Sequence, residues 1–593
     1  MYRLVARGFA HPIHLEAGLG APIIKREVVI DRSLLKNQKW MWLLGLAVVA
    51  GLWIQLLVSF LHEPRVIDDA YMFYRYGLNM KHGYGISWNP GGPPTFGETS
   101  LLWGLLVYPL TCLQGSPTVK LGVLSWVFSG IAIVATAWAA IQNGREQSIW
   151  ELAKRVVVIG IPLLLTSIFR FNAGTGMETM AAVALVALYC GSALRWNEAR
   201  ASIWPSAIIG ILLYLTRPEA AVVVVLLPSF LVLTNPASKR WNSLGRLLGL
   251  FVLCLAIFSL FEKLYFSTPV PLSFYLKGFH LYEGYRRRWH PFTSFAEFAS
   301  SAWVFLFAII ALSRREHRPI LIAFGISLAV VCGYLLTILQ IMGDLSRYYI
   351  PYFPLIVIPA AIMVFSQSPS EAKQIAGQAY ARFALAAGAV GCVVALALAP
   401  GFRSRLLPRL DAVFERNVVA YDAVRDVTDS STPLPTVPRP VELRLFGDDL
   451  SRPLPPGAKV ATTEVGYIGA AAPQVDVIDM AGLNDTQIAT HGFTPEEFLA
   501  RRPDLIWLPH TDYTYQRGIL LTDRSLFRDY VVFAGMGSGL AVRRDGPYRA
   551  QIEREWDKLW KQLYPGYRMR DYEVRAATWS RAKHAVPITQ VNG

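Results

Sequence analysis

Apolar residues dominate the first 400 positions in long uninterrupted blocks, without the polar alternation of a water-facing surface. Such runs cover 41–61, 119–141, 155–171, 179–195, 203–216, 219–234, 246–266, 299–313, 319–341, 350–366 and 382–400. A helix needs about 20 apolar residues to cross a bilayer core, and several of these runs are shorter. A further run, 100–113, has about 14 residues and fits an in-plane or re-entrant helix better than a span. Beyond residue 400 the pattern changes. The Pro-rich stretch 433–438 marks a linker or loop. Short apolar patches at Lys459-Val460-Ala461, 475–479 and 504–508 then alternate with helical stretches near 495–501 and 550–563. The pattern predicts a polytopic α-helical membrane protein of about 11 transmembrane helices plus an in-plane helix, followed by a soluble α/β domain. The predicted divisions are a polar segment 1–40, a membrane region 41–400 and an outer domain 401–593.

Composition points the same way. Hydrophobic residues make up 53% of the chain and charged residues 17%, too few to cover a water-soluble fold of this size. The net charge of +15 gives orientation rather than nucleic-acid binding, because no basic-aromatic nucleic-acid module is present. Basic residues lie in the N-terminal segment and in the connections at 143–154, 195–200, 236–246 and 314–318. These share the cytoplasmic side only if 100–113 does not cross, and the C-terminal region then lies outside. Cys112, Cys190, Cys254, Cys332 and Cys392 all fall in apolar segments without metal-ligand spacing, as small core residues do.

The opposite connections collect the distinctive polar residues. The first carries Asp68-Asp69 just past the first span, followed by Arg75, His82, Trp88, Asn89 and Glu98 among several glycines. Carboxylates beside aromatic surfaces suit a sugar; the plainer reading is an acidic helix start. A second cluster holds Arg170, Asn172, Gly176 and Glu178, and a third holds Arg217-Pro218-Glu219. The fourth runs through Tyr275 and Lys277, and the fifth through Gly343-Asp344 and Arg347. Each could also be a capped turn or a simple ion pair; on this topology all five fall on one face. Arg217, Lys277, Arg347 and the run 286–288 supply cations that could hold a lipid phosphate, although 286–288 equally suits anionic headgroups. Asp69, Glu178 and Asp344 could gather a hard divalent cation through oxygen ligation, or could bind sugar hydroxyls.

Taken in order, Asp68-Asp69-Ala70-Tyr71, Arg75-Tyr76, Trp88-Asn89-Pro90-Gly91 and Gly97-Glu98-Thr99-Ser100 resemble the first outer loop of the mycobacterial terminal arabinofuranosyltransferases, members of the GT-C superfamily. The resemblance continues through Gly176-Met177-Glu178, Arg217-Pro218-Glu219, Tyr275-Leu276-Lys277, Gly343-Asp344 with Arg347, and Val477 to Asp485. It implies a bacterial inner-membrane glycosyltransferase with a polyprenyl-phosphate sugar donor, such as decaprenyl-phosphoryl-arabinofuranose, and a cell-envelope glycan acceptor. It also implies inversion at the anomeric carbon, an in-plane helix after the first span, and an outer domain that contacts carbohydrate. Asp68 or Asp69 is then the general base, with Asp68 slightly preferred, and the other polar residues of the clusters, Asp485 included, contact donor or acceptor. A protein- or lipopolysaccharide-directed enzyme of the same superfamily is the alternative, and a transporter of lipid-linked sugar a more distant one.

Overall fold

The computed structural model describes residues 32–141, 148–198, 201–235, 240–278, 290–338, 340, 344–366, 434–510 and 512–574. The expected span at 382–400 and the basic run 286–288 lie outside these residues.

The membrane-type region is helical throughout. In chain order its helices are α1 (Arg32–His62), α2 (Asp68–Lys81), α3 (Leu101–Thr111), α4 (Pro117–Ala139), α5 (Ile149–Leu165), α6 (Ser167–Asn172), α7 (Thr179–Asn197) and α8 (Trp204–Thr216). They are followed by α9 (Ala221–Thr234), α10 (Trp241–Phe266), α11 (Leu272–Gly278), α12 (His290–Ser301), α13 (Trp303–Leu312), α14 (Arg318–Thr337) and α15 (Pro354–Ser366). Local chemistry sets several starts. Ser148 Oγ accepts from Glu151 N at 3.3 Å to open α5, Ser100 Oγ accepts from Trp103 N at 3.3 Å to open α3, and Pro117 occupies the first turn of α4.

Among the described residues five helices are long and apolar enough to cross a membrane, or six if the bent pair α12–α13 forms one span. That is fewer than the eleven read from the sequence: besides the undescribed run, 350–366 gives only the 13-residue α15 after a 3-10 turn, and two further breaks shorten other runs. The run 155–171 breaks at Thr166, which is extended, just after Pro162. The runs 203–216 and 219–234 form helices of 13 and 14 residues on either side of the Arg217-Pro218 turn. At 1.5 Å per residue each reaches about 20 Å, short of a hydrocarbon core of about 30 Å. The run 100–113 forms the 11-residue helix α3.

Packing sorts the helices by depth. In α7, 83% of the apolar window is buried, whereas α1 and α10 are 11% and 17% buried, so α7 is the hub and the other two present apolar flanks outward. Alanines and Gly191 on α7 let α4 approach closely, and a Cβ on Gly191 would sit 2.5 Å from the Trp138 ring. Of the cysteines, Cys190 and Cys332 are buried as expected, while Cys112 is exposed.

The C-terminal region forms a six-stranded mixed sheet in the order β2-β1-β3-β5-β4-β6. Strands β1 (Lys459–Thr462), β2 (Asp476–Asp479) and β3 (Leu505–Trp507) are parallel; β4 (Tyr530–Phe533), β5 (Leu540–Arg543) and β6 (Glu573–Val574) continue it antiparallel. Helices cover it, including Pro495–Ala500 and the amphipathic Arg549–Leu563, which buries Ile552, Trp556, Leu559 and Trp560. The sheet's core does not close on itself. Met72 and Tyr76 of α2 and Trp88 of the following loop belong to the same apolar cluster as Val460, Val477 and Trp507. The opposite side of α2, with Ala70, Tyr71, Phe73 and Tyr74, packs on Trp103, Leu121 and Met177. Helix α2 is therefore sandwiched between the two regions and buries ten of its fourteen residues.

Two charged residues of α2 lock this sandwich. Asp68 Oδ2 and Oδ1 accept from Gly466 N at 2.8 Å and Tyr467 N at 2.7 Å, at the start of the helix Gly466–Ala471. Arg75 reaches the other end of that helix. Its Nη1 donates to Gly469 O at 2.8 Å and its Nη2 to Val475 O at 2.8 Å, while Nε donates to Trp88 O at 2.7 Å. The guanidinium also lies 4.8 Å from the Trp88 ring centroid and is fully buried. Acid at a helix N-terminus and base at its C-terminal carbonyls both complement the helix dipole. Gly466 is required for this approach, since a Cβ there would fall 1.8 Å from Asp68 O.

Replacing Arg75 with Met removes several charge-assisted bonds and should lower stability in detergent by at least about 3 kcal/mol. The expected readout is earlier thermal unfolding and faster proteolytic release of the C-terminal domain. Arg75→Lys should recover little of this, because an ammonium cannot reach carbonyls on both sides of the fork.

Candidate functional site

A cleft open to solvent lies where the ends of α7, α8, α9 and α14 meet α2 and α11. Its lining includes Asp69, Glu98, Glu178, Arg217, Glu219, Arg347 and Leu483, the last from the C-terminal domain. All five sequence clusters are represented here, the fourth by Pro271, Ser273 and Phe274.

Each polar residue is aimed by identifiable local structure. Asp69 follows Asp68 in the first turn of α2, so the docking contact of Asp68 also fixes its neighbour. Glu178 follows Gly176, whose φ of +76° and tight surroundings of Val66, Ala70 and Leu121 require glycine. That turn is tied on two sides, with Ile67 N donating to Thr175 O at 3.0 Å and Trp103 Nε1 to Gly176 O at 3.2 Å. Arg217 caps α8 in an extended conformation before Pro218. Arg347 follows Leu345 and Ser346, two non-glycine residues with φ of 46° and 59°. Such strain must be held by its surroundings. Asn172 Nδ2 donates to Leu345 O at 3.0 Å and Ser346 Oγ to Ser294 O at 2.7 Å.

The charges then pair across loops. Arg347 Nη1 meets Asp69 Oδ2 at 3.0 Å. Arg217 bridges Glu178 Oε1 at 2.7 Å and Glu219 Oε1 at 3.2 Å. Asp69 keeps 23% of its side chain exposed, against 14% for Glu219 and 3% for Glu178, so it is the most accessible of these three carboxylates. Tyr348 lies beneath both guanidinium groups, with ring centroid distances of 5.4 Å from Arg217 and 5.7 Å from Arg347.

Several of the residues singled out in the sequence do not line this cleft. Asp68 is not aimed into the cleft; both its oxygens serve the docking helix, which removes the reason to prefer it as a base. Arg75 and Asn89 are docking residues: Asn89 Oδ1 accepts from Arg75 at 2.9 Å and from Val477 N at 2.8 Å, fastening the loop to edge strand β2. His82 is an exposed residue at the C-terminus of α2, beside Tyr84. Asp485 caps the helix Thr486–His491, accepting from Ile488 N at 3.0 Å, and pairs with Arg501. Tyr275 lies on α11, where Ser273 and Phe274 rather than Tyr275 line the cleft. The side chains of Lys277 and Asp344 lie outside the described residues.

For a divalent cation, Asp69 and Glu178 already face Arg347 and Arg217, and among the described residues no three acidic, His or Cys side chains come together to share a metal. The sequence also missed lining residues. Tyr334 sits within an apolar run that carries no local signal, and Leu483 comes from a domain more than 380 positions beyond Glu98 in the chain. Leu483 stood inside the span Val477 to Asp485, while Ser273 and Tyr348 lie beside Tyr275 and Arg347, where their polar side chains were the available signal.

A family model described as a domain of unknown function (DUF8728) matches residues 442–579, a segment that holds the mixed sheet. No curated protein and no solved structure matches the chain.

Burial pushes the Asp68 carboxyl up to about 7, helped by nearby Glu464 and opposed by the two backbone donors. Burial also pushes Asp479 up to about 7, against the bonds from Asn484. In the unfolded chain both titrate near 4. The folded state thus holds protons that the unfolded state has released. The stability they contribute is complete below about pH 4 and is lost as pH rises to about 7. Thermal midpoints measured across pH 4–8 should fall over that window, with a shallower slope in Asp68→Asn. An unchanged slope in that variant would remove Asp68 as a source.

Proposed function

We propose that the protein is a membrane glycosyltransferase that moves a sugar from a polyprenyl-phosphate donor to a glycan acceptor on the outer face of a bacterial inner membrane. Supporting this are the apolar helices, the family resemblance of the loop motifs, and a cleft at one end of the helical bundle beneath a docked domain. The GT-C architecture with about eleven spans and D-arabinofuranose as the sugar belong to the same reading. One observation carries it furthest: Asp69–Arg347 and Glu178–Arg217–Glu219, contributed by four separate loops, converge in one cleft.

Asp69 is the base. It accepts the proton of the acceptor hydroxyl, whose oxygen attacks the anomeric carbon through an oxocarbenium-like transition state. The bond from that carbon to the phosphate oxygen breaks, and its electron pair leaves with the polyprenyl phosphate. The leaving group needs no acid because a phosphate is already weakly basic. Arg347 and Arg217 offset the charge that develops on it, and their pairing with carboxylates keeps both guanidinium groups ordered before substrate arrives.

Asp69→Asn should lower transfer from a synthetic lipid-linked pentose about 100-fold to 10,000-fold, with some loss of thermal stability from the buried Arg347 it leaves without a carboxylate. The measurement is product formation by purified protein in detergent. Transfer at the wild-type rate in Asp69→Asn would exclude it as the base. Absence of any new glycosidic bond with the wild-type protein, across pentose and hexose donors, would exclude the enzyme reading itself.

A further inference from the structure

Glu98 differs from the other carboxyls of the cleft. Asp69, Glu178 and Glu219 each face an arginine, whereas no cation is recorded beside Glu98 among the described residues. Its side chain lines the cleft yet the residue is only 3% exposed, and Oε1 is buried without a hydrogen-bond partner. Oε2 rests on the Cα face of Gly104, where a Cβ would come within 2.2 Å of it. A buried polar atom without a partner costs about 1–3 kcal/mol, more if charged, so such an atom at a cleft wall calls for a ligand as its explanation.

The surrounding backbone holds this carboxyl rigidly. Gly97 is wedged so tightly that a Cβ would lie 2.1 Å from Asn484 Oδ1 and 2.6 Å from the Tyr76 hydroxyl. Leu272 N donates to Phe96 O at 2.9 Å, Thr95 N donates to Ile86 O at 2.9 Å, and Ser100 caps α3. The loop is therefore pinned from α2, α11 and the C-terminal domain at once. Glu98 is held by its neighbours although nothing holds its oxygen.

Charge accounting gives the form in which it acts. The described cleft lining carries four carboxyls, Asp69, Glu98, Glu178 and Glu219, and two arginines, Arg217 and Arg347. With all ionised, an anionic donor would meet net negative charge and an unpaired carboxylate. Burial raises the Glu98 carboxyl well above the usual carboxylate range, which agrees with a protonated side chain. A neutral carboxyl is a hydrogen-bond donor, and O–H to phosphate oxygen is among the strong charge-assisted pairs.

We propose that Glu98 is a neutral binding residue that donates its carboxyl proton as a hydrogen bond to a phosphate oxygen of the lipid-linked donor. The proposal rests on the glycosyltransferase reading for the identity of the donor; the state of Glu98 is independent of it. The amide introduced by Glu98→Gln would supply a similar hydrogen-bond donor without any charge. Comparing wild type with Glu98→Gln and Glu98→Ala therefore separates the two states of the side chain.

The test uses the full-length protein in detergent with polyprenyl phosphate itself as probe. Glu98→Ala should weaken its binding about tenfold or more, and Glu98→Gln should bind within a few-fold of wild type. Infrared difference spectra, wild type minus Glu98→Gln, should show one protonated-carboxyl band that shifts when polyprenyl phosphate is added. Where transfer is measured, Glu98→Ala should raise KM for the donor and leave KM for the acceptor unchanged. Equal loss in Gln and Ala variants, a missing carboxyl band, or an effect confined to the acceptor KM would each overturn the proposal. Preserved probe binding with no transfer by the wild type would instead count against the catalytic reading and leave the Glu98 contact standing.

Discussion

The arrangement depends on one short helix held at both ends. Asp68 and Arg75 stand seven residues apart on α2, two helical turns, so both side chains project from one face about 10 Å apart. The helix Gly466–Ala471 has six residues and a length of about 9 Å, which matches that spacing. One side chain satisfies its opening N–H groups and the other its closing carbonyls. Groups left orphaned at a helix end are costly when buried, and here two ion-bearing side chains replace water at both ends of one helix. Asp69, next to Asp68 on α2, takes its position from this contact, and the loop that carries Glu98 is pinned partly against the same helix.

The same constraint explains what could be read from the sequence. Long apolar helices were visible as blocks, because lipid-facing surface demands apolar residues on every side. The strands at Lys459, Asp476 and Leu505 showed as short β-branched patches, and the helices near 495 and 550 showed through their periodicity. The cluster residues Glu178, Arg217, Glu219 and Arg347 were legible because ionisable groups at span ends are expensive and therefore informative. What was not legible was the partition of the first loop. Asp68, Asp69, Arg75, Asn89 and Glu98 have the same chemical appearance in sequence, yet three of them fasten domains and two face the cleft. The three that fasten domains reach backbone atoms hundreds of positions away, and backbone atoms carry no residue-type signal. The helix break at Thr166 likewise divided the run 155–171, which hydropathy alone joins.

In the cleft, each arginine is paired with acid and one of them is shared. Arg217 holds two carboxylates and Arg347 one, with Tyr348 packed against both cations. Such a network is rigid while its members stay paired, and a substrate phosphate entering it competes for existing partners rather than filling empty ones. An uncharged donor such as the proposed Glu98 carboxyl would add attraction there without disturbing the ion pairs.

The clasp around Gly466–Ala471 also constrains the order of assembly. Asp68 and Gly466 are 398 positions apart, and Arg75 and Val475 are 400 apart. During synthesis, α2 emerges with its acid, its base and its apolar face long before their partners exist. Closing a loop of that length carries an entropic cost that only the finished sheet can offset. The cleft is therefore incomplete until the C-terminal sheet is in place. A chain truncated between residues 366 and 466 would contain every described helix of the apolar region and still lack the partner that fastens α2.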